Sequence, residues 1–270
     1  MKKYISLLLT LLLSLNLVAC SSSNNSSSDL LEEIKSRGYI TVATEGDWSP
    51  YTYHDEDTDE LVGFDVELAA LIADKLGVEV KYQETDWESI LAGVQSGRYD
   101  VAINGVTYTE ERAKSFNFSD PYAQMDAVLI VAKDNDDIKT FEDLKGKTST
   151  NSNGSIYASW AEEYGATVEI VPTFQETMTM ILTGRADASI NAISAYNDYV
   201  RAMEDANKEV GVKIAAYADP EKYVIAAQKD DSTNSLIEEI NKIVAELKED
   251  GTLSELSTKY FGYDATEISE

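Results

Sequence analysis

The sequence predicts an α/β protein of two similarly built lobes facing each other across a cleft, and three observations carry that reading. The first is an internal repeat. Gly97-Arg98-Tyr99-Asp100-Val101-Ala102-Ile103-Asn104 returns 87 positions later as Gly184-Arg185-Ala186-Asp187-Ala188-Ser189-Ile190-Asn191, with Gly, Arg, Asp, Ile and Asn coinciding. The second is the alternation of strand-like and helix-like segments, which implies a mostly parallel sheet. The third is size: a chain of 270 residues, even without its leader, is long for one compact unit and comfortable for two. Each repeat copy reads as an amphipathic helix stopped by a C′ glycine, then a short strand ending in a polar residue. Ligands of open α/β sheets sit beyond the carboxyl ends of the strands. Two such lobes would therefore hold a ligand between Asn104 and Asn191.

In chain order, residues 30–37 read as a short helix ended by Gly38, and 39–44 alternate as a first strand. Asp65 reads as the N-cap of a helix over 66–76 with Gly77 as its stop, and 78–82 as the next strand. A helix over 88–96 precedes the first repeat strand, 100–104. A second set follows: strand 127–132, helix 141–144, strand 148–151, helix 156–164, strand 168–171, and the second repeat copy on 174–191. The tail, 236–248 and 253–260, is two amphipathic helices separated by Gly251.

The N-terminus fixes the compartment. Lys2 and Lys3 precede an apolar run over 7–13 broken only by Thr10, closing at Leu17-Val18-Ala19-Cys20. A basic start, a short apolar core and small residues before a cleavage point make a secretory signal, too short to span a bilayer comfortably. Cys20 after Leu-Val-Ala resembles a bacterial lipobox, in which the cysteine is lipidated and becomes the mature N-terminus. It is the single cysteine, so no internal disulfide can form. Residues 21–28, Ser and Asn throughout, read as a flexible tether. Removing residues 1–19 takes away two lysines and leaves 20 Lys+Arg against 49 Asp+Glu, a net charge of −29 with His neutral. Such a surface repels phosphate backbones, which excludes nucleic acid as a partner. The lone histidine, His54, sits in the acidic stretch His54-Asp55-Glu56-Asp57, which lacks the spacing of a calcium loop and reads as a solvated hairpin turn. Without a second His or Cys, neither a zinc site nor a Ser-His-Asp triad has raw material, and no metal or other cofactor is expected.

Several passages carry a resemblance. They are Val42-Ala43-Thr44-Glu45-Gly46-Asp47-Trp48-Ser49-Pro50-Tyr51, Leu61-Val62-Gly63-Phe64-Asp65-Val66, Asn104-Gly105-Val106-Thr107-Tyr108-Thr109-Glu110-Glu111-Arg112, Phe118-Ser119-Asp120-Pro121-Tyr122, Asp143-Leu144-Lys145-Gly146-Lys147, and the closing Glu249-Asp250-Gly251-Thr252-Leu253 through Lys259-Tyr260-Phe261-Gly262. In that order they resemble the extracellular solute-binding proteins of family 3, the polar amino-acid receptors of ABC importers, across essentially the whole mature chain. Glu45-Gly46, Trp87 and the 138–146 passage resemble the cystine- and cysteine-binding members most. The resemblance implies a periplasmic-binding-protein-like fold of type II, two lobes joined by two hinge strands. Lobe 1 would comprise 30–122 and 223–265, lobe 2 127–217, and the hinge 122–126 and 218–223, with the tail helices back on lobe 1.

An α-amino acid offers a carboxylate, an ammonium and a side chain. For the carboxylate the family pattern points to Arg112, whose planar fork donates two parallel hydrogen bonds. The Thr107 hydroxyl and backbone N–H groups near Gly105 and Thr107 would complete that cradle, Gly105 allowing close approach of the main chain. Trp48 and Trp87 would sandwich the ligand's carbon or sulfur atoms, while Trp160 reads as core. Glu45 could accept from the ammonium or a side-chain polar group. From lobe 2, Asn151 and Ser155 align with family positions that touch polar ligand atoms, and Asn191 ends the repeat strand. Many relatives carry an ammonium-binding aspartate at the next position, where this chain has Ala192. Either Glu45 and Asn191 supply that acceptor, or the ligand lacks an ordinary α-ammonium.

The function implied is a lipid-anchored, monomeric extracytoplasmic receptor, held at the membrane by Cys20, that closes on a polar amino acid and presents it to an ABC permease with its ATPase. Two other classes stay open. A dehydratase on the same scaffold would need a cleft acid of raised pKa, for which Glu45 is the candidate. A sensor that reports amino acids to a kinase partner would use the same cleft.

Overall fold

In the computed structural model the described residues are 29–268; the leader, Cys20 and the tether up to residue 28 lie outside them. From the start, α1 (Leu30–Arg37) leads into β1 (Tyr39–Thr44), then a small sheet of β2 (Asp47–Trp48), β3 (Thr52–His54) and β4 (Leu61–Val62). Next come α2 (Phe64–Leu76), β5 (Glu79–Glu84), α3 (Trp87–Gln95), β6 (Val101–Ala102) and β7 (Phe116–Phe118). The chain crosses along β8 (Ala123–Met125) to β9 (Ala127–Ala132), β10 (Thr148–Asn151), α4 (Ile156–Glu163), β11 (Thr167–Ile170), α5 (Phe174–Leu182), β12 (Ala188–Ala192), α6 (Ile193–Asp205) and β13 (Val212–Tyr217). It returns along β14 (Glu221–Tyr223) to β15 (Ala226–Gln228) and closes with α7 (Asn234–Glu249) and α8 (Thr252–Phe261).

Each lobe is built on a five-stranded sheet, ordered β5-β1-β6-β15-β7 in the first and β11-β10-β12-β9-β13 in the second. Both are mixed. β15 runs antiparallel to β6 and β7, and β9 antiparallel to β12 and β13. The reversed strand in each sheet directly follows a crossing of the chain between lobes, so it enters its sheet from the opposite end.

The repeat strands β6 and β12 take the same third place in the two sheets. Gly97 and Gly184 stop their helices with φ of 71° and 67°, in the left-handed region that glycine enters without strain. The repeated aspartates do one job twice. Asp100 accepts the Thr41 N–H at 2.7 Å and Asp187 the Thr148 N–H at 2.8 Å, each pinning the neighbouring parallel strand. Asp100 also receives Arg37 and the Thr41 hydroxyl. The repeated Ile103 and Ile190 are buried.

β9 shows how the second core forms. Its six residues are all apolar; Ala127, Leu129 and Val131 pack with Tyr157 and Ala161 on one face, Val128 and Ile130 with Met178, Ile181 and Tyr199 on the other. The largest core lies in lobe 1. There Leu236, Ile240, Ile243 and Leu247 of α7 and Leu253 and Tyr260 of α8 join Ile34, Ile40, Leu68 and Ile72. Between the lobes β8 and β14 form an antiparallel two-stranded ribbon, with Glu221 opposite Met125 and Tyr223 opposite Ala123. Among the described residues no helix is long and apolar enough to cross a membrane.

Some sequence expectations shift. The first repeat strand shortens to two residues, with Asp100 and Asn104 turned to other partners. The segment 141–144 is a 3-10 turn, and α6, β7 and β13 had no forecast. Asp65 is not an N-cap: α2 begins at Phe64, two residues earlier than expected, and the Asp65 carboxylate is buried, accepting from Gly105 N at 2.6 Å and the Tyr122 hydroxyl at 2.9 Å. The acidic turn after His54 is the β3–β4 connection. Asp55 there accepts the Asp57 and Thr58 N–H groups, and the His54 Nε2 atom lies 2.7 Å from Glu84.

Candidate functional site

A narrow cleft separates the lobes, beyond the carboxyl ends of β1, β6, β10 and β12. Lobe 1 contributes Glu45, Asp47, Trp48, Trp87, Gly105 and Thr107. Lobe 2 contributes Asn151, the start of α4 from Ser155 to Tyr157, Phe174 and Thr177 of α5, and Asn191. Eight of the ten residues singled out in the sequence therefore share one wall-to-wall space. Among the described residues no His, Cys, Asp and Glu cluster could hold a metal ion.

The aromatic walls are held from behind. Trp48 stacks on Tyr51 with centroids 4.1 Å apart at 20°. The Trp87 indole Nε1 is buried without a hydrogen-bond partner, a donor left unsatisfied on the cleft wall. Trp160, expected in the core, is half-buried instead, packing edge-on to Tyr157 against the outside of the lobe 2 core. Gly105 has φ of 56°, and a Cβ there would lie 2.6 Å from Trp48 Cζ3. Gly105→Ala is therefore expected to cost about 1–2 kcal/mol of stability and to push the Trp48 ring out of place. Urea unfolding and tryptophan fluorescence check both.

Two of the ten do not line the cleft. Asn104 is fully buried: its Oδ1 accepts from the Thr44 hydroxyl and Glu45 N, both at 2.9 Å, and its Nδ2 donates to Glu45 at 2.7 Å. It therefore orients Glu45 rather than touching the space itself. Arg112 lies at the cleft's rim, bridging the lobes. It donates to the Thr107 carbonyl at 3.0 Å and the Gly154 carbonyl at 3.3 Å, with the guanidinium 5.3 Å over the Trp87 ring.

The cradle expected around Gly105 and Thr107 is also partly engaged. The Gly105 N–H is held by Asp65, and the Thr107 hydroxyl donates to Glu221 at 2.8 Å. In lobe 2, Ser155 caps α4 by accepting from Ala158 N at 3.1 Å, so the positive end of that helix faces the cleft. Asn151 spends its amide on the Ile190 carbonyl at 2.8 Å, and Asn191 Oδ1 accepts from Ala192 N. Ala192 itself is buried and offers no acceptor.

Burial sets the acids' protonation. It pushes Glu45 up to about 8, against the lowering effect of the Asn104 hydrogen bond. It raises Asp47 as well, with Glu176 and Glu84 adding to the effect. Asp65 and Glu221 are each pushed up to about 7 by the same cause, opposed by their hydrogen bonds. Burial lowers Arg112, while the negative Glu221 nearby restores it in part. Raised acids keep their protons in the native protein after the unfolded chain has released them, so stability falls as pH rises from about 4 through 7. Asp65 and Glu221, both buried, should each cost on the order of 2–3 kcal/mol between pH 5 and 8. The ligand-free protein is thus expected to melt several degrees lower at pH 8 than at pH 5; an unchanged or higher midpoint would contradict these burials.

Sequence reasoning missed Asp47, Phe174, Thr177, Tyr157 and Glu221. Phe174 and Thr177 lie on the inward face of α5, where helical periodicity gives a core residue and a cleft residue the same signature. Asp47 stood inside a quoted passage, but nothing in its spacing marked it. Glu221 is a lone acid in an acidic chain, and only the fold reveals its burial.

Comparison with known proteins adds to this geometry. A family described as bacterial extracellular solute-binding proteins, family 3, matches residues 40–263. The L-cystine-binding protein TcyA of Bacillus subtilis (strain 168) is 38% identical over 257 residues, 93% of this chain and 94% of that protein. A solved ancestral arginine-binding protein bound to arginine superposes with a TM-score of 0.76 at 39% identity, over 84% of this chain and 99% of that one. The ancestral amino acid-binding protein AncCDT-1, a precursor of cyclohexadienyl dehydratase, has a TM-score of 0.77 at 31% identity, over 86% and 99% of the two chains.

Proposed function

This chain belongs to the bacterial extracellular solute-binding proteins of family 3, and from that premise we propose that it is a lipid-anchored receptor, cystine-like ligands favoured, that hands its amino acid to an ABC importer. The observation that carries this reading is the aromatic-walled cleft lined also by a helix N-terminus and by Glu45, whose carboxyl is pushed up to about 8, with the Arg112 guanidinium at its rim over Trp87. A zwitterion's carboxylate meets the rim, where Arg112 exchanges the Gly154 carbonyl for the ligand's oxygens while the Thr107 carbonyl keeps the guanidinium aimed. Its side chain lies between Trp48 and Trp87, and its ammonium reaches Glu45 or Asn191, since Ala192 supplies nothing.

Closure follows from contacts that span the lobes. Asn153 donates to Glu88 at 2.7 Å, and Tyr51 meets Ser194. A ligand touching both walls favours this closed arrangement by its differential affinity, with the β8–β14 ribbon as hinge. Cys20 then tethers the receptor at the membrane.

A thermal-shift screen of the common amino acids and L-cystine tests the ligand. At 100 times Kd a ligand adds about 2.7 kcal/mol of apparent stability, so L-cystine is expected to give the largest rise. A flat response to every compound rejects the receptor reading. A dehydratase reading gains from one observation, the raised Glu45 in the cleft. Incubation with cyclic carboxylic acids and product analysis separates the two, and no turnover is expected.

A further inference from the structure

Glu221 is a buried acid whose position the clamp above does not explain. It opens β14, the return strand of the ribbon, and is 6% exposed. Its Oε2 accepts from the Thr107 hydroxyl at 2.8 Å, while its Oε1 is buried with no hydrogen-bond partner. A carboxyl enclosed with only the Thr107 and Tyr157 hydroxyls to answer it is costly, and packing alone would not select it.

Thr107 connects this acid to the cleft. Its hydroxyl goes to Glu221 and its carbonyl to Arg112. The surrounding loop is laced to the return strand: Tyr108 N donates to the Lys222 carbonyl at 3.0 Å, and Val224 N to the Val106 carbonyl at 2.8 Å. The groups facing Glu221 come from each packed element: Arg112 from its 3-10 turn, Tyr157 from α4 and Tyr223 from β14 itself. The Tyr157 and Tyr223 hydroxyls lie 3.3 Å apart.

We propose that Glu221 is a positioning residue: its carboxyl fixes the Thr107 loop that aims Arg112, and its charge governs how strongly Arg112 takes a second anion. The inference rests on the amino-acid-receptor reading. An ionised Glu221 shares the guanidinium's field with the incoming carboxylate and weakens its capture, whereas a protonated one leaves that field whole. Because burial places this titration near neutrality, ligand binding takes up a proton there, and affinity falls as pH rises.

Calorimetry of the wild type and Glu221→Gln with L-cystine, and in parallel L-arginine, from pH 5.5 to 8.5 tests the inference. Glu45 titrates in the same range, so the readout is the ratio of wild-type to variant affinity. That ratio is expected near one at pH 5.5 and about fivefold lower at pH 8.5; a constant ratio overturns the inference. No binding by the wild type at any pH overturns the receptor reading along with it. Should Glu221→Gln fail to fold, carbon-13 detection of the Glu221 carboxyl in the wild type decides instead. Its titration midpoint is expected to rise when ligand is added, and an unmoved midpoint rejects the inference.

Discussion

Arg112→Ala is expected to abolish amino-acid binding while leaving the melting behaviour of the free protein nearly intact. Truncating one partner of an enclosed charge-assisted pair costs about 2–5 kcal/mol, a loss of roughly thirtyfold to several thousandfold in affinity. The free protein loses hydrogen bonds to the Thr107 and Gly154 carbonyls, where water can replace the guanidinium, together with its contact over Trp87 and its attraction to Glu221. Arg112→Lys keeps the charge but not the fork, and should recover only part of the affinity. Calorimetry and a thermal melt on the same samples separate the two effects. Unchanged affinity in Arg112→Ala would remove the guanidinium from the ligand's path.

Asp65→Ala is expected to be the most damaging single substitution to the fold of lobe 1. One carboxylate there serves α2, the cleft loop through Gly105 N, and the entry to the ribbon through the Tyr122 hydroxyl. Removing it strands two buried donors, at about 1–3 kcal/mol each. Urea unfolding should therefore show a loss of about 2–5 kcal/mol, with weaker ligand binding as the Gly105 loop loosens. Asp65→Asn can still accept one bond and is expected to lose less. A loss under about 1 kcal/mol in the alanine variant would mean that the two donors find other partners.

The contrast between Asp65 and Asp100 shows what a single sequence makes legible. Asp100 belongs to a repeat, and its twin Asp187 pins a parallel strand in the same way, so the duplication announced both the architecture and the place of each lobe's central strand. Helix ends at Gly97 and Gly184 were equally plain, because a stop in the left-handed region needs glycine. Asp65, by contrast, precedes an amphipathic run, where local spacing favours a cap; only a partner 40 residues away explains its burial. Asn104 and Asn191 repeat the lesson within the site. They are equivalent by sequence, yet one orients Glu45 from behind and the other lines the cleft. The site's general location thus followed from pattern, while the division between ligand-facing and supporting residues depended on long-range contacts.

The clamp itself is best examined in crystals grown with whichever amino acid raises the melting point furthest. The ligand carboxylate should lie within hydrogen-bond distance of the Arg112 guanidinium, with its side chain between Trp48 and Trp87. A ligand bound outside the cleft, or an Arg112 still committed to the Gly154 carbonyl with the ligand in place, would contradict it.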